Sequence, residues 1–257
     1  MFLPIPSQPD CVSAWREAVG LVDAQSGHEA YNVIIDIADP TANTTLQDPR
    51  IAIVDSFLAD CCKPLDTVAN TIFPEGLYRR HGAPEFFEVF EKKVLPKVCR
   101  NGRWSGYYFE RMIAFPGAVG APPNQLWGII ERMRNPQVRA LNKFELSLFD
   151  PCRDVDDSPY GGQCLSFLSF KLHPGERKVL TLTAQYRNHF YIEKLLGNLI
   201  GLGRLMAFVA KEADLDVGDL TVLSTHAKID VPKGRRRADV KALIAAFDQA
   251  GTTSLAA

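Results

Sequence analysis

The chain has 257 residues, of which 46% are hydrophobic and 23% charged. That is ordinary globular usage and excludes disorder over the bulk of its length. Its 29 basic and 30 acidic side chains leave a net charge of −1, so no overall field draws it to nucleic acid or anionic lipid. A chain of this size buries a core without staples, and six cysteines are too sparse for a disulfide scaffold.

The opening MFLPIPSQPDC has neither a basic n-region nor an apolar h-region, so no signal peptide is expected. Ser13–Gln25 has helical spacing, with Ser13 as the expected N-cap. Tyr31–Ala38 is short and β-branched and reads as a strand. Ile51–Cys62 and Pro84–Val98 read as helices, the second with an apolar face of Phe86, Phe87, Phe90 and Leu95. Gly102–Phe115 is aromatic and ambiguous, and Pro123–Arg134 is a helix stopped at Asn135-Pro136.

The pattern then changes. Asn142–Phe149 alternates, with Phe144, Leu146 and Leu148 on one face. After a polar loop, CLSFLSFKL and KVLTLTAQYR read as strands of one hairpin around Pro174-Gly175. Phe190–Ala213 is a long apolar helix, Asp219–Ile229 an alternating strand, and Ala238–Gln249 a short helix; the tail over 250–257 is expected to fray. The stretch Leu195–Val209 is the most apolar, but Asn198 and Arg204 interrupt it short of the ~20 residues a bilayer span needs. The order of elements predicts one α+β domain over 1–257, with helices packed on a mixed sheet.

Three polar residues stand at strand ends: Cys164 after a Gly-Gly loop, Arg187 closing the next strand, and His226 ending the last strong one. Such positions carry functional groups. An arginine there suits an anion, and a guanidinium nearby lowers a thiol's pKa toward the nucleophilic thiolate. Cys11, Cys61, Cys62, Cys99 and Cys152 show no zinc-ligand spacing. With Cys164 they read as reduced thiols of a cytoplasmic protein, Cys152 preceding no strand. The basic run Arg235-Arg236-Arg237 reads as a solvated face. Tyr108 and Glu110 in YYFERM are weaker acid–base candidates.

These residues, taken together, resemble the thymidylate synthase and pyrimidine nucleotide hydroxymethylase family. Its catalytic cysteine opens an aromatic strand, as Cys164-Leu-Ser-Phe-Leu-Ser169-Phe170 does here. Its QRSxD corresponds to Tyr186-Arg187-Asn188-His189-Phe190, its helical asparagine to Asn198, its GD-led strand to Gly218-Asp219, and that strand's histidine to His226. Arg187 and Asn198 are eleven apart, as in the family, and Asn198 and Gly218 twenty apart. Asn135–Arg139 is similar to the family's DPxSRR, and Phe149-Asp150-Pro151 to its WNP. The match is best over 135–230.

The resemblance implies a thymidylate synthase-like fold dimerising through its sheet, and an enzyme that transfers a methyl or hydroxymethyl group to C5 of a pyrimidine nucleotide. Cys164 would add to C6. Arg187 would bind the 5′-phosphate, Asn198 would hydrogen-bond the base edge, where the family's residue reads uracil against cytosine, Ser169 and Asn188 would join them in binding substrate, and His226 would be catalytic, by the sugar or the water network. Arg139 would reach the partner's phosphate in a homodimer with shared active sites. The implied one-carbon donor is 5,10-methylenetetrahydrofolate, with neither nucleic acid nor membrane as partner.

The departures are specific. Leu165, Ser169, Asn188, Phe190, Ala140 and Lys228 replace the family's histidine, glutamine, serine, aspartate, second arginine and tyrosine. No glutamate occupies the helical general-base stretch, Thr67–Phe73 (TVANTIF), and no apolar folate-closing tail is evident. The alternative is therefore a catalytically degenerate nucleotide-binding protein, a sensor or partner subunit on the same fold.

Overall fold

The computed structural model describes residues 2–98, 106–115, 124–152, 154–155 and 162–254. In chain order it runs β1 (Leu3–Pro4), α1 (Cys11–Asp23), β2 (Glu29–Ile37), α2 (Pro49–Ala59), α3 (Leu65–Ile72), α4 (Glu75–His81) and α5 (Glu85–Val89). Then come α6 (Tyr108–Ile113), α7 (Gln125–Arg134), β3 (Phe144–Ser147), β4 (Leu165–His173), β5 (Val179–Tyr186), β6 (His189–Phe190), α8 (Leu196–Ala213), β7 (Asp216–Lys228) and α9 (Arg237–Ser254).

The strands form one mixed sheet in the order β1-β2-β7-β5-β4-β3, with β6 on β7. The β4–β5 hairpin is antiparallel, and β5 runs parallel to β7. Period-two alternation sorts each strand. Val33, Ile35 and Ile37 of β2, Leu168 and Phe170 of β4, Leu180 and Leu182 of β5, and Leu220 and Val222 of β7 enter the core beneath the helices. On the opposite face Glu145, Thr183, Gln185 and Asp219 are exposed. The α+β class with helices packed on a mixed sheet is thus what the structure has. Among the described residues no helix is long and apolar enough to cross a membrane.

Several expectations need correction. Asp10, not Ser13, caps α1: its carboxylate accepts the Ser13 N–H at 2.7 Å, which starts the helix at Cys11. The expected helix over Pro84–Val98 breaks after Val89 into a π turn, Phe90–Val94, and a 3-10 turn, Leu95–Lys97. Pro96 lies in that last turn and cannot donate to the turn before it. The helix expected from Phe190 opens as a π turn, Tyr191–Leu195, before α8. The 250–257 tail does not fray where expected, since α9 continues to Ser254; residues 255–257 lie outside the described residues, as does Cys99. The helices α3 and α4 are additions to the expected elements.

Close packing fixes the position of α3. A Cβ on Gly197 would lie 2.7 Å from Val68 Cβ, and one on Gly201 would lie 2.8 Å from the Ala69 carbonyl oxygen. The two glycines let α8 approach α3 at backbone distance, which brings the inner side of α3 beside Asn198.

Candidate functional site

A cavity of about 300 Å³ opens where α3, the start of α6, the strand β4 and the turn into α8 meet. Lys63, Val68 and Thr71 form one wall, and Gly106, Tyr107 and Tyr108 a second. Gly162, Gln163 and Cys164 lead into β4, and Asn188, His189, Phe190, Lys194 and Asn198 close the far side. No aspartate or glutamate lines it among the described residues.

Cys164 is held at the wall from both sides. Arg187 N–H donates to the Cys164 carbonyl at 2.8 Å, and Arg187 Nε donates to the Gln163 carbonyl at 3.0 Å. Gln163 in turn donates to the Gly106 carbonyl at 2.8 Å. Gly162 has φ +69, and a Cβ there would sit 3.1 Å from Arg187 Nη2, so glycine permits this close turn. Farther back, Arg111 and Asp154 form an ion pair at 2.8 Å with both side chains 1% exposed. Arg111 also donates to the Leu148 carbonyl, and Asp154 accepts the Asp150 N–H at 2.8 Å. The pair anchors the start of the loop that delivers Cys164.

Electrostatics at the thiol are divided. Burial pushes Cys164 above its ordinary range, while the Arg187 guanidinium and the Lys194 ammonium pull it back without cancelling the effect. Burial also raises the Tyr108 hydroxyl, whose oxygen faces the backbone N–H groups of Leu165 and Cys164. Lys63 and Lys194 bring positive charge to the cavity wall.

Of the sequence-predicted residues, the structure brings Cys164, Asn188 and Asn198 to one cavity. Arg187 stands beside it, exposed and bonded to the loop rather than lining the wall. His226 stands one shell behind: its Nδ1 is 2.8 Å from Asn188 Oδ1, and its ring lies 5.1 Å from Tyr31. Arg139 is exposed after α7 and does not line the cavity of its own chain. Ser169 is a correction. It bonds Glu145 across the sheet and receives Lys171, on the face away from the core, because it stands one position from each of the inward-facing Leu168 and Phe170. Arg235, Arg236 and Arg237 pair with Asp60, Asp239 and Asp23, in keeping with a surface charge run.

Sequence reasoning missed Lys63, Thr71, His189 and Lys194. His189 carried no readable signal, being one residue of a motif position that admits any type. Thr71 lies on α3 and Lys63 just before it, and hydrophobic periodicity over LDTVANTI alone could have revealed that helix. No protein-family model matches the chain, and no curated protein matches it significantly.

Proposed function

We propose that the chain is a divergent thymidylate synthase-like transferase that modifies C5 of a pyrimidine nucleotide. The observation that carries the reading is the convergence of Cys164, Asn188 and Asn198, from three segments, on one cavity with Lys63 and Lys194 in its wall and Arg187 beside it. A thiol nucleophile, a buried carboxamide and a cationic wall suit a heterocycle bearing a phosphate. Cys164 as thiolate forms a C–S bond at C6, and the C5–C6 electron pair moves into an enolate spanning C5 and the C4 oxygen. C5 is then nucleophilic toward a one-carbon electrophile. C5 forms a C–C bond to that carbon as the carbon's bond to its carrier breaks and the carrier keeps the electron pair; water takes the C5 proton, and expulsion of the thiolate restores the C5–C6 double bond.

Arg187 and Lys194 oppose the burial that raises the Cys164 thiol, and so favour that activation. A cavity of about 300 Å³ is at the small end of ligand sites and takes one mononucleotide-sized ligand. A cytoplasmic homodimer completes the proposal. The uncovered sheet face meets a second copy, and Arg139, idle at its own site, serves the partner's phosphate.

Intact-mass and peptide mass spectrometry after incubation with 5-fluoro-pyrimidine nucleotides, with and without folate, should find an adduct on Cys164. Unmodified protein under every condition, with Cys164→Ala still active, contradicts covalent catalysis. One observation favours the second reading, a nucleotide-binding protein without catalysis: burial raises the thiol, and no carboxylate lines the cavity among the described residues. That reading requires calorimetry to show nucleotide binding unchanged by Cys164→Ala and abolished by Arg187→Ala.

A further inference from the structure

The proposed chemistry leaves one pair of nucleophiles unused. Cys61 and Cys62 are adjacent and half-buried, in the turn between the end of α2 at Ala59 and the start of α3 at Leu65. Adjacent side chains point apart along a helix or a strand, so a turn is where two such thiols can meet. The Cys62 thiol meets Cys61 and hydrogen-bonds the Glu193 carboxylate. The Cys61 sulfur lies 3.3 Å from the Phe57 carbonyl and touches the Arg235 guanidinium. That guanidinium is itself held by the Phe57 carbonyl at 3.3 Å and by Asp60 at 3.1 Å, and it lies 4.8 Å over the Phe57 ring. A cation beside a sulfur steadies the thiolate, the form in which a thiol attacks. Burial, then the Cys61 sulfur and the Glu193 carboxylate, push Cys62 up to about 12, so Cys62 keeps its proton. The pair is therefore unequal, with Cys61 placed to attack and Cys62 to resolve.

We infer that Cys61 and Cys62 close to a reversible disulfide under a hydroperoxide, and that closing this ring resets the cavity wall at Lys63 and Lys194. The Cys61 thiolate attacks one peroxide oxygen. An S–O bond forms, the O–O bond breaks, and the departing hydroxide takes a proton from solvent. The Cys62 sulfur then attacks the Cys61 sulfur. An S–S bond forms, the S–O bond breaks, and the hydroxyl leaves with the Cys62 proton as water. Two electrons pass from the sulfurs to the peroxide. Consecutive Cα atoms lie only ~3.8 Å apart, below the ~4.4 Å at which ordinary bridges begin. The ring is strained, and strained bridges are the easily reduced, regulatory kind.

The link to the cavity is short. Lys63 follows Cys62, Lys194 follows Glu193, and both lysines line the wall. The Leu65 N–H is tied back to the Asp55 carboxylate of α2 at 2.7 Å. With α2 and the start of α3 held together, the torsion that ring closure demands falls on the residues between them, Lys63 included. Closure also removes the S–H that Glu193 accepts and leaves that carboxylate to Lys194, 3.5 Å away. Asp230 fixes the Glu193 N–H at 3.2 Å, so the response falls on the side chains. The pair is separate from Cys164 and reacts whether or not a nucleotide binds.

Full-length protein is treated with hydrogen peroxide, capped with iodoacetamide without reduction, and digested for mass spectrometry. The peptide holding Cys61 and Cys62 should lose two hydrogens, carry no label, and regain both thiols in dithiothreitol. In Cys62→Ser, dimedone should trap a sulfenic acid on Cys61. Acylation of Lys194 by an N-hydroxysuccinimide ester should be roughly two- to fivefold slower in oxidised than in reduced protein, the worth of a part-exposed ion pair. The rate at Lys63 should shift as well, with Lys178, at the far end of β5, unchanged and peroxide-treated Cys62→Ser showing neither shift. Both thiols still open to iodoacetamide, or a bridge from either to another cysteine, overturns the disulfide. Equal rates at Lys63 and Lys194 in the two states overturn the link to the cavity. Neither result touches the nucleotide reading, which fails only if the adduct on Cys164 fails.

Discussion

Two buried polar clusters serve the cavity, and they end differently. Arg111 and Asp154 bond each other, and reach the Leu148 carbonyl and the Asp150 N–H; neither is in the cavity lining among the described residues. His189 and Ser224 are just as buried, but their chain of bonds terminates at Asn198 on the cavity wall. The first cluster is charged and lies away from the cavity, and it ties Asp150 and Leu148 to α6. The second is neutral and open at one end, and it presents a hydrogen-bonding edge. A buried ion pair does damage when one partner is lost, whereas losing one member of a neutral hydrogen-bonded chain costs less.

The largest effect expected from this contrast is on stability. Asp154→Ala leaves the Arg111 guanidinium buried without its carboxylate, which should cost about 3–5 kcal/mol and lower Tm by roughly 10 °C. Replacing both partners by apolar residues of similar volume should recover most of that. A loss in Asp154→Ala below about 1 kcal/mol, the size of a surface pair, would remove the closed cluster from the account.

The next effect marks the neutral cluster by pH. His189, neutral when folded with a pKa of about 3, is protonated first in the unfolded chain. Its contribution is therefore complete above about pH 6.5 and is lost as pH falls toward 3, at about 1.4 kcal/mol per unit. Asp230 acts in the opposite sense. It accepts the N–H groups of Ile192 and Glu193 at the turn that leads into α8, and burial raises it to about 6. Its contribution is complete below the unfolded pKa of about 3.9 and is lost as pH rises through 6. Between pH 4 and 6 the two slopes offset each other. Denaturant titrations across that window should show stability falling with rising pH in His189→Phe and rising with pH in Asp230→Asn. Parallel slopes in the two variants would contradict a neutral relay.

The smallest effect is at the thiol. Lys194→Met removes one of the two charges that oppose burial at Cys164, so the thiol should titrate higher still. Alkylation of Cys164 by iodoacetamide at pH 8 should be slower in the variant than in wild type. An equal or faster rate would show that Lys194 exerts no field on the sulfur.

How far the molecule is legible from its sequence depends on where each signal lies. The strands β3, β4, β5 and β7 announce themselves through alternation, and α7 through its stop at Asn135-Pro136, because such patterns are local. Cys164 and Asn198, singled out by their position and spacing, do line one cavity. The helix α3 escapes such reading: it is short, flanked by Pro64 and Pro74, and seated against Gly197 and Gly201, more than a hundred residues away. His189 is unreadable for the same reason. Its meaning comes from Asn198 on α8 and Ser224 on β7, contacts that exist only once the sheet has formed. Ser169 is misplaced when a motif position is carried over without counting which face of β4 it occupies.

The most direct test of the central reading is a crystal structure with a pyrimidine nucleoside monophosphate bound. The account predicts the base between Cys164 and Asn198, its C6 facing the sulfur, and the phosphate against Arg187, Lys63 or Lys194. A nucleotide bound elsewhere on the chain, or a base turned so that neither the sulfur nor the carboxamide touches it, would contradict the account.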